Sequence, residues 1–269
     1  NGTNEDSYFP VQVVDISHVR NVSVGYVHTC AVALDGEAWC FGNNENGVLG
    51  DGTNTNSSTP IEILGPNQVQ SISAGVYHTC ASENDGIAWC WGCNSNGQLG
   101  NGTISAEQTE PVQVVGLDGA ETILANCYHS CARKTDGTVW CWGRNQFGQL
   151  GNGTTVDSTA PVEVSSLTDV EFISALYHHN CALKTDGTAW CWGFNADGQL
   201  GDGTTENRLI PVQVTVLSDI AVISPGRSHT CAIKTDGTLW CWGKNKFGQL
   251  GDGTTEDRLE AVRVQDPIP

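Results

Sequence analysis

Twelve cysteines and seven histidines are the residues of this 269-residue chain best suited to hold a metal or staple the backbone. Ten of the cysteines form pairs ten positions apart: Cys30/Cys40, Cys80/Cys90, Cys131/Cys141, Cys181/Cys191 and Cys231/Cys241. A histidine stands two residues ahead of each pair, at His28, His78, His129, His179 and His229. Zinc would take thiolates and imidazoles at roughly 2.0–2.3 Å, usually with a short Cys-x2-Cys knuckle. Cys-x9-Cys has no such knuckle, and no histidine completes the set. The competing chemistry is oxidation. Between Cys181 and Cys191 apolar and polar residues alternate on either side of Asp186-Gly187, the pattern of two short strands meeting at a tight turn. In that register Cys181 opposes Cys191, Ala182 opposes Trp190, and Thr185-Asp186-Gly187 forms a three-residue loop whose glycine can take the left-handed position. Opposed cysteines on neighbouring strands approach closely enough to bridge. Five hairpin disulfides are therefore expected, each closing its loop for about 2–3 kcal/mol.

The two cysteines left over, Cys93 and Cys127, fall where one repeat hands over to the next, and a Cys93–Cys127 bridge between repeats is the economical pairing. The remaining candidate chemistry is thin. One imidazole per repeat, spread around a wide axis, cannot converge on a single ion, so the histidines are expected to make structural hydrogen bonds to backbone. Asp136, Asp186 and Asp236 sit in turns and lack convergent partners for acid–base work. No glycine-rich segment opens a helix, and no Ser-His-Asp or Cys-His set is apparent. The expectation is a protein that is not an enzyme and has no cofactor or metal. Asn-x-Ser/Thr acceptor sequences occur at Asn1, Asn21, Asn56, Asn101 and Asn152, with Asn56 in the longest polar loop.

The elements that must position these residues repeat every 50 or 51 positions. Around each cysteine pair recurs the punctuation seen at Trp142-Gly143-Arg144-Asn145 and Gly148-Gln149-Leu150-Gly151-Asn152-Gly153-Thr154, then a Pro-Val-x-Val strand and a further apolar strand. Each unit holds four short strands and no helical periodicity, the signature of a propeller blade. Trp190 and Trp192 share one face of the hairpin while Cys191 takes the other, so both faces need cover, which neighbouring blades supply. The fold expected is an all-β, five-bladed β-propeller forming a single domain over 1–269. Its repeats run approximately over 15–64, 65–115, 116–165, 166–215 and 216–264. The chain begins and ends in the same phase: Pro10-Val11-Gln12-Val13 copies the strand that Ala261-Val262-Arg263-Val264 also carries. That makes a surplus terminal strand over 10–14, and Val11, Val13, Val262 and Val264 are the candidate assembly positions, either pairing within the molecule or adding to a neighbouring one.

A net charge of −18, from 12 Lys+Arg against 30 Asp+Glu, leaves no basic stripe for nucleic acid. No apolar run reaches membrane-spanning length. The chain contains no methionine, so Asn1 is not a translation start and a preceding segment is expected. The paired cysteines imply an oxidising compartment, and hence a secreted, extracellular or cell-surface protein.

Segments such as His229-Thr230-Cys231-Ala232-Ile233-Lys234-Thr235-Asp236-Gly237-Thr238-Leu239-Trp240-Cys241-Trp242-Gly243, followed by Asn245 and Gly248-Gln249-Leu250-Gly251-Asp252-Gly253-Thr254, resemble repeats of the regulator of chromosome condensation family. The resemblance spans about residues 20 to 264 and implies four-stranded propeller blades. The family's founding nuclear member has seven blades and is a chromatin-binding guanine-nucleotide exchange factor. Five units, paired cysteines and an acidic surface depart from it and look more like secreted bacterial members. A secreted β-lactamase inhibitor protein of related architecture shows such a scaffold serving as a protein binder. Three functions follow as expectations. The first is an extracellular structural or assembly protein, such as a glycosylated surface or fibre subunit partnering itself through terminal-strand exchange. The second is a secreted propeller that binds a protein or glycan. The third, which the cysteines oppose, is an exchange factor.

Overall fold

The computed structural model describes residues 1–265, and they are all β: twenty strands in five four-stranded antiparallel sheets. The first sheet runs β1 (Val19–Val24), β2 (His28–Ala33), β3 (Ala38–Gly42), β4 (Ser57–Glu62). The second runs β5 (Val69–Ala74), β6 (His78–Glu83), β7 (Ala88–Cys93), β8 (Glu107–Gln113). The third comprises β9 (Ala120–Ala125), β10 (His129–Lys134), β11 (Val139–Gly143) and β12 (Ser158–Glu163). The fourth runs β13 (Val170–Leu176), β14 (His179–Lys184), β15 (Ala189–Gly193), β16 (Arg208–Gln213). The fifth runs β17 (Ile220–Pro225), β18 (His229–Lys234), β19 (Leu239–Gly243), β20 (Arg258–Arg263). These are the four-stranded blades that the repeat implies.

The hairpin register is the one the cysteine spacing demands. Cys30 pairs with Cys40, Cys80 with Cys90, Cys181 with Cys191 and Cys231 with Cys241, and Ala182 faces Trp190 as the alternation requires. The turn glycine takes positive φ, for example 77° at Gly187. Past each second cysteine the ladder shifts, so that Cys40 pairs with Ile61 but Gly42 with Ser57. Gly42 permits the shift: its φ is 121°, and a Cβ there would lie 2.7 Å from the Val27 carbonyl oxygen.

The chain gathers into two compact units: residues 1–135, 142–144 and 157–161 in one, and 136–141, 145–156 and 162 onward in the other. In the first, the bridged face of the first sheet (Cys30, Val32, Ala38, Cys40) packs against Val69, Ile72, Ala81 and Trp91 of the second. In the other, Cys181, Leu183, Ala189 and Cys191 of the fourth sheet meet Ile220, Ile223, Ala232 and Trp242 of the fifth. One packing scheme is thus built twice from equivalent residues. Burying a tryptophan and two or three aliphatic side chains at each such contact supplies several kcal/mol, at about 25 cal/mol per Å² of apolar surface.

The surplus strand is not formed. Residues 10–14 have no ladder partner among the described residues, and β1 begins only at Val19. Val11 and Val14 are exposed, so the segment carries the strand pattern without the sheet edge that would complete it. The C-terminal copy differs: Ala261, Val262 and Arg263 lie in β20, where Val262 pairs with Cys241.

Candidate functional site

Each hairpin brings its cysteines to a Cα separation of 4.1 Å, and the bridges Cys30–Cys40, Cys80–Cys90, Cys181–Cys191 and Cys231–Cys241 form. Cys131 and Cys141 are disulfide-bonded as well. The expected Cys93–Cys127 bridge is absent: neither residue is disulfide-bonded. Cys93 ends β7, paired with Glu107, and its sulfur lies 3.4 Å from Ser95 Oγ. Cys127 is buried beside Tyr128. A position at a repeat boundary is therefore not enough for a bridge, which needs close, opposed Cβ atoms.

The histidines form the most regular polar feature of the protein. His28 Nε2 lies 2.8 Å from Thr79 Oγ1, His78 Nε2 2.8 Å from Ser130 Oγ and His179 Nε2 3.0 Å from Thr230 Oγ1. Each hydroxyl belongs to the following sheet and donates its proton onward: Thr79 to the Val48 carbonyl, Ser130 to Gln98 and Thr230 to Gln199, at 2.8–2.9 Å. A hydroxyl with its one proton committed can only accept from the ring, so these histidines carry hydrogen on Nε2. The carbonyl accepts a second bond, from Trp91 at 2.8 Å, Trp142 at 2.9 Å or Trp242 at 2.9 Å. The expectation of hydrogen bonds to backbone is thus corrected in detail: the ring reaches a side-chain hydroxyl, and the hydroxyl reaches the backbone. Because the carbonyl does the accepting, Val48 can stand where other repeats have glutamine. Burial holds His28 down to about 4; burial, then His129 and His28, take His78 to about 3. Both rings are neutral at pH 7. They are joints between sheets and present no proton to a substrate.

The recurrent asparagine is a second internal fastener. Buried Asn195 accepts from the Leu200 amide at 2.9 Å and donates to Asp202 Oδ1 at 3.2 Å and the Thr204 carbonyl at 3.1 Å. Asn44 and Asn245 do the same in their loops. Asn101 and Asn152 occupy the aspartate position of this motif. Their Oδ1 atoms accept from Thr103 and Thr154, and from Asn94 and Asn145, so both are committed to the turn. Asn56 is exposed, though its Oδ1 accepts the Asn44 amide at 2.6 Å. Asn21 lies exposed at the irregular start of β1, and Asn1 closes a turn onto Thr3. The turn aspartates behave likewise: hydrogen bonds from Thr188 hold Asp186 low, and those from Thr238 hold Asp236 low.

What the motif reading missed lies in the loops between sheet strands. In one unit Phe147 packs on Phe194 at 4.9 Å and on His178 at 5.3 Å, Tyr177 meets His178 edge-on at 5.8 Å, and the Arg227 guanidinium stands 4.9 Å over Tyr177. Tyr177 holds φ at 61°, a conformation a bulky residue adopts only when its surroundings impose it. Where other repeats have Gly25, Gly75 or Gly226, this one has Leu176, which continues β13 to pair with His179 immediately around Tyr177. In the other unit Tyr77 and Tyr128 are 5.6 Å apart with Arg144 5.3 Å from Tyr128. Burial, Cys127 and Tyr77 push the Tyr128 hydroxyl up to about 12. The sequence signal was available: these positions vary between repeats while their flanks do not.

Val262 lies in β20, whereas Val11 and Val13 lie in the segment without a ladder, and Val264 follows β20 with its amide bonded to Leu239. No group of three or more His, Cys, Asp or Glu side chains among the described residues is placed to hold a metal ion. No helix there is long and apolar enough to cross a membrane.

The comparisons agree with this architecture. No curated protein matches the chain. Among solved structures, human WBSCR16 superposes with a TM-score of 0.80 at 23% identity, over 93% of this chain and 67% of that one. Prp20p from Saccharomyces cerevisiae, described with binding properties toward Gsp1p and histones, gives 0.70 at 18% identity, over 93% of this chain and 77% of its own. These likenesses carry the fold alone. A family model for the RCC1-like domain matches residues 1–268, and the chain belongs to that family.

Proposed function

We propose that the protein is an extracellular, non-enzymatic assembly module whose copies join end to end, with the terminal segment 10–14 as part of the joint. One observation carries this reading. Pro10-Val11-Gln12-Val13 has the pattern that forms an outer strand at Pro111, Pro161 and Pro211, yet Val11 is 51% exposed and unladdered. A strand pattern without an edge is suited to completing an edge on another molecule. The bridged cysteines support an oxidising, extracellular address. Negative-stain microscopy and sedimentation of the non-reduced protein test it: chains of particles are expected, shortened by deletion of residues 1–14. Single discs of one chain's mass at every concentration would refute it. Asn56 is the acceptor we assign for glycosylation in a competent host. Intact mass before and after glycosidase treatment decides whether it is occupied.

The aromatic rim supports a second reading, a secreted module that binds a protein or glycan. Half-buried rings beside the exposed Arg227 suit sugar stacking or a peptide carrying aromatic and acidic residues. Binding lost in Tyr177→Ala with an unchanged circular dichroism spectrum would favour it, and binding retained would exclude this surface.

A further inference from the structure

The interface between consecutive sheets is assembled from fixed positions, so the two sheet faces on which it is not made within this chain can be read position by position. The trailing face of a sheet presents Val32 and Ala38 in the first sheet, or Leu183 and Ala189 in the fourth. The leading face of the next sheet answers with Val69 and Ile72, or Ile220 and Ile223. All eight side chains are at most 4% exposed. The same positions are open on the leading face of the first sheet, where Val19 is 41% and Val22 57% exposed. They are open again on the trailing face of the fifth, where Ile233 is 40% and Leu239 41% exposed.

The polar half of the interface is also left in two pieces. Inside the chain a ring N–H meets a hydroxyl that donates to a carbonyl, as in His179 to Thr230 to Gln199. The fifth sheet carries the ring of His229 and the carbonyl of Gln249, and the first carries Thr29, which stands one residue before its cysteine as Thr79 and Thr230 do. Among the described residues no hydrogen bond reaches the His229 ring, the Thr29 hydroxyl or the Gln249 backbone carbonyl. Each end has what the other lacks.

We infer that the trailing face of the fifth sheet docks onto the leading face of the first sheet in a second copy of this chain, repeating between molecules the interface built within one. Ile233 and Leu239 pack on Val19 and Val22, the His229 ring donates to Thr29, and Thr29 donates to the Gln249 carbonyl. A second copy is the occupant that serves both faces with the residues the pattern requires. The contact is head-to-tail, so each added copy exposes a fresh face and growth continues. Phe41 replaces the tryptophan that elsewhere donates to the carbonyl, so the intermolecular joint has one hydrogen bond fewer than the internal ones and is the point at which an assembly comes apart. This deepens the assembly reading and rests on it. It names the sheet faces as the contact, whereas the terminal segment alone would act at a sheet edge.

Sedimentation velocity across a wide concentration range tests it with the full chain. Wild-type protein is expected to form a ladder of masses. Val22→Asp and Ile233→Asp, both at exposed positions, are each expected to be monomeric. An equimolar mixture should give a dimer and nothing larger, because one intact trailing face then meets one intact leading face. Thr29→Val and Leu239→Ser are milder and should weaken association at least tenfold with unchanged tryptophan fluorescence. Association undiminished in these four variants would overturn the face contact and leave the assembly reading standing. A wild-type chain that stays monomeric throughout would overturn both.

Discussion

Lowering the pH from 8 to 5 should weaken this protein through the histidines that join its sheets, and the loss can be worked out residue by residue. His28 is held at about 4 and His78 at about 3, against 6.5 for an exposed imidazole. Both native values lie below the unfolded one, so their neutral forms contribute full stability above pH 6.5, and that contribution falls away as the pH drops toward 4. At pH 5 the unfolded chain binds close to one proton at each site and the native state almost none. Integrating the difference gives a loss of about 2 kcal/mol per histidine, or about 4 kcal/mol for the pair. Asp252 does not contribute in this window. Burial acts to raise its carboxyl, but hydrogen bonds from Thr254, Arg258 and Asn245 hold it at about 2. The assay is guanidinium unfolding followed by tryptophan fluorescence at pH 8, 6.5 and 5, on wild-type protein and on His28→Gln and His78→Gln. Each variant is less stable at pH 8 and should lose about half of the acid sensitivity. An unfolding midpoint equal at pH 8 and pH 5 in the wild type, or an acid dependence unchanged in both variants, would refute the neutral, bridging histidine.

Thr79→Val removes the hydroxyl between His28 and the Val48 carbonyl and should cost about 1–3 kcal/mol in chemical unfolding, with Thr79→Ser recovering most of it. Reducing the hairpin bridges should lower stability by about 2–3 kcal/mol for each ten-residue loop opened, and an unchanged midpoint in reductant would mean the bridges add nothing. Gly201→Ala places a Cβ 2.7 Å from Trp242 Nε1 at a φ of 70°, so a melting temperature lowered by several degrees is expected. Tyr177→Asn relieves an aromatic residue from a left-handed conformation but gives up its contact with Arg227; the two effects, each of about 1 kcal/mol, should nearly cancel in thermal unfolding.

How much of this was legible depended on whether a residue's role is local to its repeat. The register of Cys181 against Cys191 could be read directly because alternation, a turn glycine and a ten-residue spacing all fix the same hairpin. The partner of His28 could not be read in this way. Thr79 lies 51 positions away, and which ring atom meets which hydroxyl depends on how two sheets pack, about which the period of the sequence says only that they are neighbours. Cys93 and Cys127 show the limit from the other side. Both stand at a repeat boundary, but adjacency of sheets does not specify the direction of a Cβ. The strand expected over 10–14 has no ladder within the chain for a related reason, since its pattern records a preference and a strand forms only where an edge is present to receive it.

The same reasoning makes the first and fifth sheets the informative places. A repeat protein gains stability from each contact between neighbours, and a sheet face without a neighbour is ordinarily blunted with polar residues. Here the first sheet keeps Val19 and Val22, and the last keeps Ile233 and Leu239, at positions that are buried in the other sheets apart from half-buried Arg133, which stands in the third sheet where the fifth has Ile233. Charged residues would be tolerated there in an isolated molecule and would protect it from association. Their absence, together with a ring, a hydroxyl and a carbonyl each left without its customary counterpart, distinguishes faces that still carry the full apparatus for joining from faces that have been capped.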